Sequence, residues 1–275
     1  MPAPARSPVA AQRVATPQFS PEEQAAREDL AAAHRLAVWH DFDQGIYNHL
    51  TVAVPGRDDA FLLPPFGLHW SEVTASGLLT VGYDGRLIAG EGEIQRSAYC
   101  IHAPIHRLHP EHQVVLHTHM PYATALTRLE DNRLLPVGQT EILLIDEIVY
   151  DDAYTGLARE PEEGERLADL LGPDKKILFL AHHGVIVTGR TTAEAYDRLF
   201  ALERACQVQL YALWTGRPLK QVPAPLVEKA QAQYRAGLLQ AGQKTAAPGQ
   251  KPHGAELHFA ALRRLLDRRE PDYRD

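Results

Sequence analysis

Residues 114–119 read Val-Val-Leu-His-Thr-His, a short apolar run that ends in two histidines one residue apart. Side chains alternate between the faces of a β-strand, so a strand here places His117 and His119 on one face, about 6–7 Å apart. Pro121 ends the strand, and an Ala/Leu-rich helical segment follows. Two imidazoles at a strand end, where the surface opens to solvent, predict a divalent metal site. Two half-buried histidines without a ligand are the alternative.

A third histidine follows a second apolar strand and favours the metal hypothesis. The apolar run 177–180 predicts a buried strand that leads directly into Ala-His-His-Gly at 181–184. A catalytic zinc site takes three protein ligands and leaves one position open for water or substrate. The glycine permits a tight turn beside a ligand, so we predict His183 as the third ligand and interpret the preceding histidine as its neighbour.

The chain carries 14 histidines, and those outside the predicted ligand set fit metal binding less well. His102 and His106 are four residues apart on a predicted helix and therefore share one face. A polar helix face, contacts behind the three ligands and a second metal pair are all compatible with this spacing.

A metal site that cleaves or deprotonates its substrate also needs a group that moves a proton. The sequence offers Tyr122, Glu93 and Glu141 for this catalytic role. Glu141 directly precedes the apolar run 142–145, which reads as a strand, so its carboxylate could face the pocket. A solvated carboxylate at the strand end is the competing interpretation.

The composition excludes several classes of function. A net charge of -7 disfavours a nucleic-acid partner. The sequence contains no run of 18 apolar residues, so it predicts no membrane span. Only two cysteines occur, which predicts reduced thiols in a cytoplasmic protein and excludes a disulfide framework. Neither a glycine-rich phosphate loop nor a Gly-x-Ser-x-Gly nucleophile motif is present.

Turn residues and apolar periodicity divide the rest of the chain into short strands and helices. Further strands are predicted over 48–54, 60–63, 78–81, 87–89 and 185–188. Helices are predicted over 22–40, 97–108, 161–171, 191–213, 225–241 and 255–268. Antiparallel strands with interspersed helices predict one α/β or α+β domain with a covered sheet.

The sequence predicts one folded domain with two flanking segments. Residues 1–19, rich in Pro and Ala and without an apolar core, predict a disordered leader rather than a secretory signal. Residues 20–241 show no internal repeat and no boundary. Residues 242–275 read as a Gly/Lys/Pro-rich linker followed by a C-terminal helix and tail.

Taken together, these motifs resemble the class II aldolase/adducin family. The central likeness is His-Thr-His-Met-Pro-Tyr-Ala-Thr-Ala at 117–125, followed by His-Gly at 183–184. Further similar segments are 48–52, 65–67, 74–76, 192–195, 202–207 and the ending 271–275, which is similar to the adducin-like bacterial branch. The resemblance implies an α/β fold, a three-layer α/β/α sandwich around a central, mainly antiparallel sheet.

The resemblance also implies ligands and partners. It implies a divalent metal held by His117, His119 and His183, with Zn2+ as the expected ion and Fe2+, Mn2+ or Co2+ as alternatives, because imidazole suits all of them. It implies a small-molecule substrate and a homotetramer with active sites between neighbouring subunits. The substrate-binding positions that it implies are Asn48, Gly67 and Ser97.

The chain departs from the sugar-phosphate aldolases that it resembles. Their catalytic Glu stands four residues before a helix histidine that matches His102, and this position is Ala98 here. Arg96 stands where the resemblance leads us to expect a serine, and Phe66 where it leads us to expect a threonine. Cleavage of a phosphorylated sugar is therefore in question, while the three histidines are intact.

Three functions follow as hypotheses. The first is a metal-dependent lyase of the aldolase, decarboxylase or dehydratase type, acting on a small hydroxy-carbonyl compound. The second is a non-haem iron oxygenase of aromatic hydroxy acids, which would consume oxygen, whereas a lyase would not. The third is a non-catalytic, adducin-like assembly module, which would not need an open set of metal ligands.

Overall fold

The computed structural model describes residues 19–244 and 254–275, and the strands in this part of the chain form one mixed sheet. The strands are β1 (His49–Ala53), β2 (Ala60–Leu63), β3 (Leu79–Gly82), β4 (Leu87–Ala89), β5 (Val114–Thr118), β6 (Ile148–Asp151), β7 (Ile177–Leu180) and β8 (Val185–Gly189). Their spatial order is β4-β3-β2-β1-β5-β8-β7-β6. Each neighbouring pair is antiparallel except β6 and β7, which run parallel.

Helices cover both faces of this sheet. They are α1 (Pro21–Trp39), α2 (Arg96–Leu108), α3 (Pro121–Leu126), α4 (Gln139–Leu144), α5 (Pro161–Leu171), α6 (Thr192–Leu213), α7 (Ala224–Lys244) and α8 (Gly254–Arg269). Helices α2 and α5 pack on one face, α1 and α6 pack on the other, and α8 lies against α6. The three-layer α/β/α sandwich expected from the sequence is confirmed.

The alternation of side chains along β5 sets the two faces of the central layer. Val114 and Leu116 are buried in the core cluster that contains residues of α1 and α6. Val115 is buried in the cluster formed with α2 and α5. His117 shares the parity of Val115 and therefore lies on the α2/α5 face, as the strand period requires.

Helices α2 and α5 approach each other unusually closely, because a glycine lies at their crossing. A Cβ added to Gly164 of α5 would overlap the carbonyl oxygen of Cys100 on α2. Close contact of the backbones leaves no room for a side chain there. This crossing fixes α2 over the sheet, with its N-terminal end beside the end of β5.

One predicted strand is wrong. Residues 142–145 do not form a strand: α4 covers Gln139–Leu144, a 3-10 turn follows over Ile145–Glu147, and β6 begins only at Ile148. Gly138 is the N-cap of α4 and Glu141 lies in its first turn, both favourable at a helix start. A short apolar run does not by itself distinguish a buried strand from a buried helix.

The C-terminal segment packs into the fold. Tyr273 is fully buried and its carbonyl accepts a hydrogen bond from the Ala75 N–H (2.9 Å). Arg35 of α1 pairs with Glu270 (3.2 Å) and Asp272 (2.9 Å). The predicted leader falls almost entirely, and the linker largely, outside the described residues, although 242–244 belong to α7.

No helix in the described ranges combines the length and the apolar character that crossing a bilayer requires.

Buried neutral histidines predict a fold that loses stability in acid. Burial lowers the pKa values of His34, His106 and His112 to about 4, well below the value of an unfolded chain. As the pH falls from about 6.5 towards 4, the unfolded chain binds protons that the native state does not bind. The contribution of these histidines to the free energy of unfolding is therefore full above pH 6.5 and is lost below it. Each such histidine contributes up to about 1.4 kcal/mol per pH unit in this window.

Urea unfolding of the metal-free protein between pH 7.5 and 5 measures this dependence. We expect the free energy of unfolding to fall steeply below pH 6.5 and the slope to be shallower in His34→Gln. Substitution of exposed His182 by Asn, which tolerates the left-handed backbone there (φ 61°), should leave the slope unchanged. A flat free energy between pH 6.5 and 5 would contradict the prediction.

Candidate metal centre

Three histidines meet where β5 ends and β8 begins. Because these strands are antiparallel, with Thr118 opposite Val185, the turn before β8 brings His183 beside His119. The ring centroids of His117, His119 and His183 lie 4.8–5.0 Å from one another. One ligand nitrogen from each ring can be chosen so that all three lie within 4.8 Å. The structure thus brings together the three predicted metal ligands.

Hydrogen bonds orient two of these rings. His117 donates from Nδ1 to the Val185 carbonyl (3.0 Å), and His119 donates from Nδ1 to Gln44 Oε1 (2.6 Å). Their Nε2 atoms therefore carry the free lone pairs, in the way that an outer hydrogen bond fixes a metal-ligating histidine. His119 Nε2 is buried and has no hydrogen-bond partner. Beside the His117 and His183 rings, this nitrogen lies where a metal ion shared by the three rings would satisfy it.

The electrostatics of the site keep the three rings neutral. Burial lowers the pKa of His119 to about 4 and that of His117 well below its usual value. The pKa of His183 is also lowered, first by burial and then by the positive charge of Arg128. Neutral imidazole is the form that binds a metal ion, so no proton has to be displaced at neutral pH.

The backbone of two residues next to the site, Gly184 and Asn48, lies close to His119. Gly184 faces the edge of the His119 ring, and a Cβ at this position would lie 2.6 Å from His119 Cδ2 and 2.5 Å from the Thr118 carbonyl oxygen. On the other side, Asn48 has a left-handed backbone (φ 71°) and its Oδ1 accepts the His119 N–H at 3.3 Å. Gly184 thus lies against the His119 ring, while Asn48 holds the backbone of His119.

The histidines open into a cavity of about 750 Å³ between the sheet end, the start of α2 and the segment before α5. Arg96 at the start of α2 binds Glu160 (3.0 Å) and the Arg159 carbonyl (2.8 Å), which holds that segment along the cavity wall. Exposed Leu157 also lines the cavity from this segment, and Phe66 lines it from the loop after β2.

The predicted substrate-binding residues are placed unequally. Asn48 and Ser97 both line the cavity. Gly67, with φ 100°, directly follows the cavity residue Phe66 but is not itself part of the lining. Ala98, where the resemblance implied a missing carboxylate, is fully buried in an apolar cluster with Leu79 and does not line the cavity.

Two of the three predicted proton-moving residues lie outside the cavity. The Tyr122 hydroxyl bonds to the Tyr211 hydroxyl (2.6 Å) on the outer side of α6, because the chain turns away from the sheet at α3. Glu141 is buried at the start of α4, with its carboxylate folded over Gly138, because this segment is a helix rather than a strand ending at the site. Glu93, in contrast, lines the cavity.

Sequence reasoning missed His49, a buried cavity residue. β1 pairs with β5 so that His49 stands opposite His117, and their ring centroids are 4.9 Å apart. Ser97 contacts the ring of His49, with Oγ 3.3 Å from Nε2. The parity of His49 in β1 was readable from the sequence, but its pairing with β5 depends on contacts across 68 residues and was not.

Comparisons with known proteins agree with this fold. A family model described as "Class II Aldolase and Adducin N-terminal domain" matches residues 28–210. A solved aldolase II superfamily protein from Pseudomonas syringae is 35% identical, with a TM-score of 0.82 over 94% of this chain and 98% of the other.

Two further similarities point in different functional directions. A solved L-fuculose 1-phosphate aldolase from Glaciozyma antarctica is 25% identical, with a TM-score of 0.75 over 94% of this chain and 96% of that one. Alpha-adducin of Rattus norvegicus is 32% identical over 248 residues, which cover 89% of this chain but only 33% of the adducin.

Close packing at Gly184 generates a stability prediction. The Gly184→Ala substitution should lower the free energy of unfolding by about 1–3 kcal/mol, because the new methyl group displaces the His119 ring or the Thr118 carbonyl. Chemical denaturation measures the effect. Gly237→Ala on the exposed side of α7, where nothing lies within 4 Å of the added Cβ, should be neutral or stabilising. Equal effects of the two substitutions would contradict the packing argument.

Proposed function

Since the chain belongs to the class II aldolase and adducin family, we propose that it is a metal-dependent lyase acting on a small hydroxy-carbonyl compound. The observation that supports this proposal is the set of three histidine rings whose free nitrogens converge at the cavity, one of them buried without a partner. A buried polar atom without a partner is costly, and a metal ion would satisfy it.

The donor set suits a particular group of ions. Three neutral imidazoles with open positions form the arrangement of a catalytic zinc site, so Zn2+ is the ion that we propose. Fe2+, Mn2+ and Co2+ are compatible with the same ligands. When bound, such an ion polarises a carbonyl or hydroxyl oxygen and stabilises the negative charge that develops on it.

The residues of the chain supply the rest of the site. Gln44 and the Val185 carbonyl fix the tautomers of two ligands, while Asn48 fixes the backbone of His119. The cavity volume of about 750 Å³ fits a small molecule. Phe66 and Leu157 contribute apolar surface to its lining.

We also propose that the chain assembles as a homotetramer. An exposed aromatic surface supports an interface between copies: Tyr211 and Trp214 are 45% and 72% exposed, and Val208 beside them is 57% exposed. Large apolar side chains grouped on one helix face are typical of contact surfaces. Light scattering on the purified protein measures the oligomeric state.

A second candidate function has one observation in its favour. Similarity to alpha-adducin extends over 89% of this chain, so a non-catalytic assembly role is the alternative. Under this alternative, His119→Ala should leave the oligomeric state unchanged and no hydroxy-carbonyl compound should be turned over by the metal-loaded protein.

Metal analysis tests the proposed site directly. Untagged protein expressed with added zinc should hold about one metal ion per chain, and His119→Ala should hold less than about a fifth of that amount, because two imidazoles are too few for tight binding. His182→Asn is the matched control, since it changes the adjacent exposed histidine and should retain the metal. Elemental analysis by mass spectrometry, with thermal unfolding before and after chelation, gives two independent readouts.

A wild-type protein that holds almost no metal after this expression would overturn the proposal. Retention of full metal content by His119→Ala would overturn the ligand assignment. Turnover of hydroxy-carbonyl compounds under anaerobic conditions would separate the lyase from an oxygenase, which needs oxygen as a reactant.

A further inference from the structure

A continuous chain of hydrogen bonds runs from the cavity wall into the space under α2. It links Ser97 Oγ to His49 Nε2 (3.3 Å) and His49 Nδ1 to His102 Nε2 (2.9 Å). It continues from His102 Nδ1 to Thr51 Oγ1 (2.7 Å) and from Thr51 Oγ1 to His106 Nε2 (2.9 Å). We name these five residues the histidine chain.

The inner end of the histidine chain fixes its direction. His106 Nδ1 lies 2.9 Å from the carbonyl oxygen of His112, and a carbonyl can only accept. His106 therefore carries its proton on Nδ1. As a neutral ring, it has an unprotonated Nε2 that can accept a hydrogen bond. Thr51 has one hydroxyl proton, and the Nε2 atom of His106 at 2.9 Å is a nearer acceptor than the Val115 carbonyl oxygen at 3.4 Å, so the proton goes to that Nε2.

The same reasoning then assigns the donor and the acceptor atom of each residue from Thr51 outward to the cavity. Because the proton of Thr51 is already used, His102 must donate from Nδ1, and its Nε2 must accept from Nδ1 of His49. His49 Nε2 is then also bare and accepts the hydroxyl proton of Ser97. One buried carbonyl thus sets the tautomers of three histidines and the direction of a serine hydroxyl at the cavity wall.

Burial supports the neutral state that this reasoning requires. His102 is fully buried, and His49 and His106 are 3% exposed. Among the described residues, none of the hydrogen bonds of the histidine chain involves a carboxylate, which would favour a charged ring. Burial also lowers the pKa of His106 to about 4 and the pKa of His102 well below its usual value. At neutral pH all three rings are uncharged, so each offers one donor and one acceptor.

We propose that the histidine chain makes the Ser97 hydroxyl an acceptor towards the cavity, so that this hydroxyl binds a substrate hydroxyl in preference to a phosphate oxygen. The proton of Ser97 is committed to His49, so the lone pairs of the Ser97 hydroxyl oxygen can only accept from another group. A hydroxyl group can donate to them, whereas a phosphate dianion brings only further lone pairs. This inference rests on the proposed function, because it specifies the substrate of the same site as a polyhydroxylated, unphosphorylated carbonyl compound.

The tautomers can be measured without substrate or metal. Long-range 1H–15N correlation spectra of metal-free, histidine-labelled protein distinguish the two neutral tautomers. His49, His102 and His106 should carry the proton on Nδ1, assigned by single substitutions to Gln. His112 is the internal contrast, because its Nε2 donates to the Gly172 carbonyl (2.9 Å) and it should show the opposite tautomer. A proton on Nε2 of His49 or His102 would overturn the inference.

Substitution of Thr51 tests whether the direction of hydrogen-bond donation is transmitted from His106 to His102 and His49. In Thr51→Val the link is broken, so His102 and His49 should each populate both tautomers, while Thr51→Ser should restore the wild-type spectrum. Thr118→Val is the matched control, because Thr118 is a fully buried strand threonine whose hydroxyl has no partner. Unchanged His49 and His102 signals in folded Thr51→Val would contradict transmission.

Ligand selection is tested with dihydroxyacetone and its phosphate ester. Calorimetric titration of the zinc-loaded wild type should show at least about tenfold tighter binding of dihydroxyacetone, and Ser97→Ala should lose this preference. Equal or tighter binding of the phosphate, or no binding of dihydroxyacetone, would overturn the substrate inference. Absence of bound metal would overturn the proposed function instead, while the tautomers in metal-free protein would still decide the direction of the chain.

Discussion

Antiparallel pairing of β5 with β1 on one side and β8 on the other is the constraint on which the site depends. It aligns the ends of three strands, so that the ring centroids of histidines distant in sequence come within 4.8–5.0 Å of each other. The period of two along β5 keeps His117 and His119 on the α2/α5 face, while Leu116 contributes to the opposite core. A shift of one residue in this pairing would move both rings to the wrong face.

Burial has two effects on the histidines that this strand pairing brings together. It holds their rings neutral, which suits metal ligands and makes every hydrogen bond directional. It also makes an unpaired nitrogen costly, and both ring nitrogens of His49, His102 and His106 are hydrogen-bonded. Thr51 is central here, because a hydroxyl can accept from His102 while donating to His106.

The features of the fold that local sequence patterns determine could be predicted from the sequence. The parity of the His-x-His strand, the strand that leads to His183 and most helix bounds were readable, because periodicity and caps such as Ser20 act over a few residues. The position of His49 at the cavity was not, since strand pairing is a long-range property. Glu141 was misplaced because a short apolar run fits a helix as well as a strand, and the course of the chain after α3, which carries Tyr122 outward, depends on tertiary packing.

The histidine chain has a consequence for how this sequence can evolve. Its members agree on one direction of donation, so a replacement that reverses or removes a donor at one position alters what its neighbours can accept. Substitutions there should show strong epistasis, with single changes poorly tolerated and compensating changes arising together. Related sequences would then be expected to co-vary at positions 49, 51, 102 and 106, and this set would mark a lineage within the family more sharply than the metal ligands do.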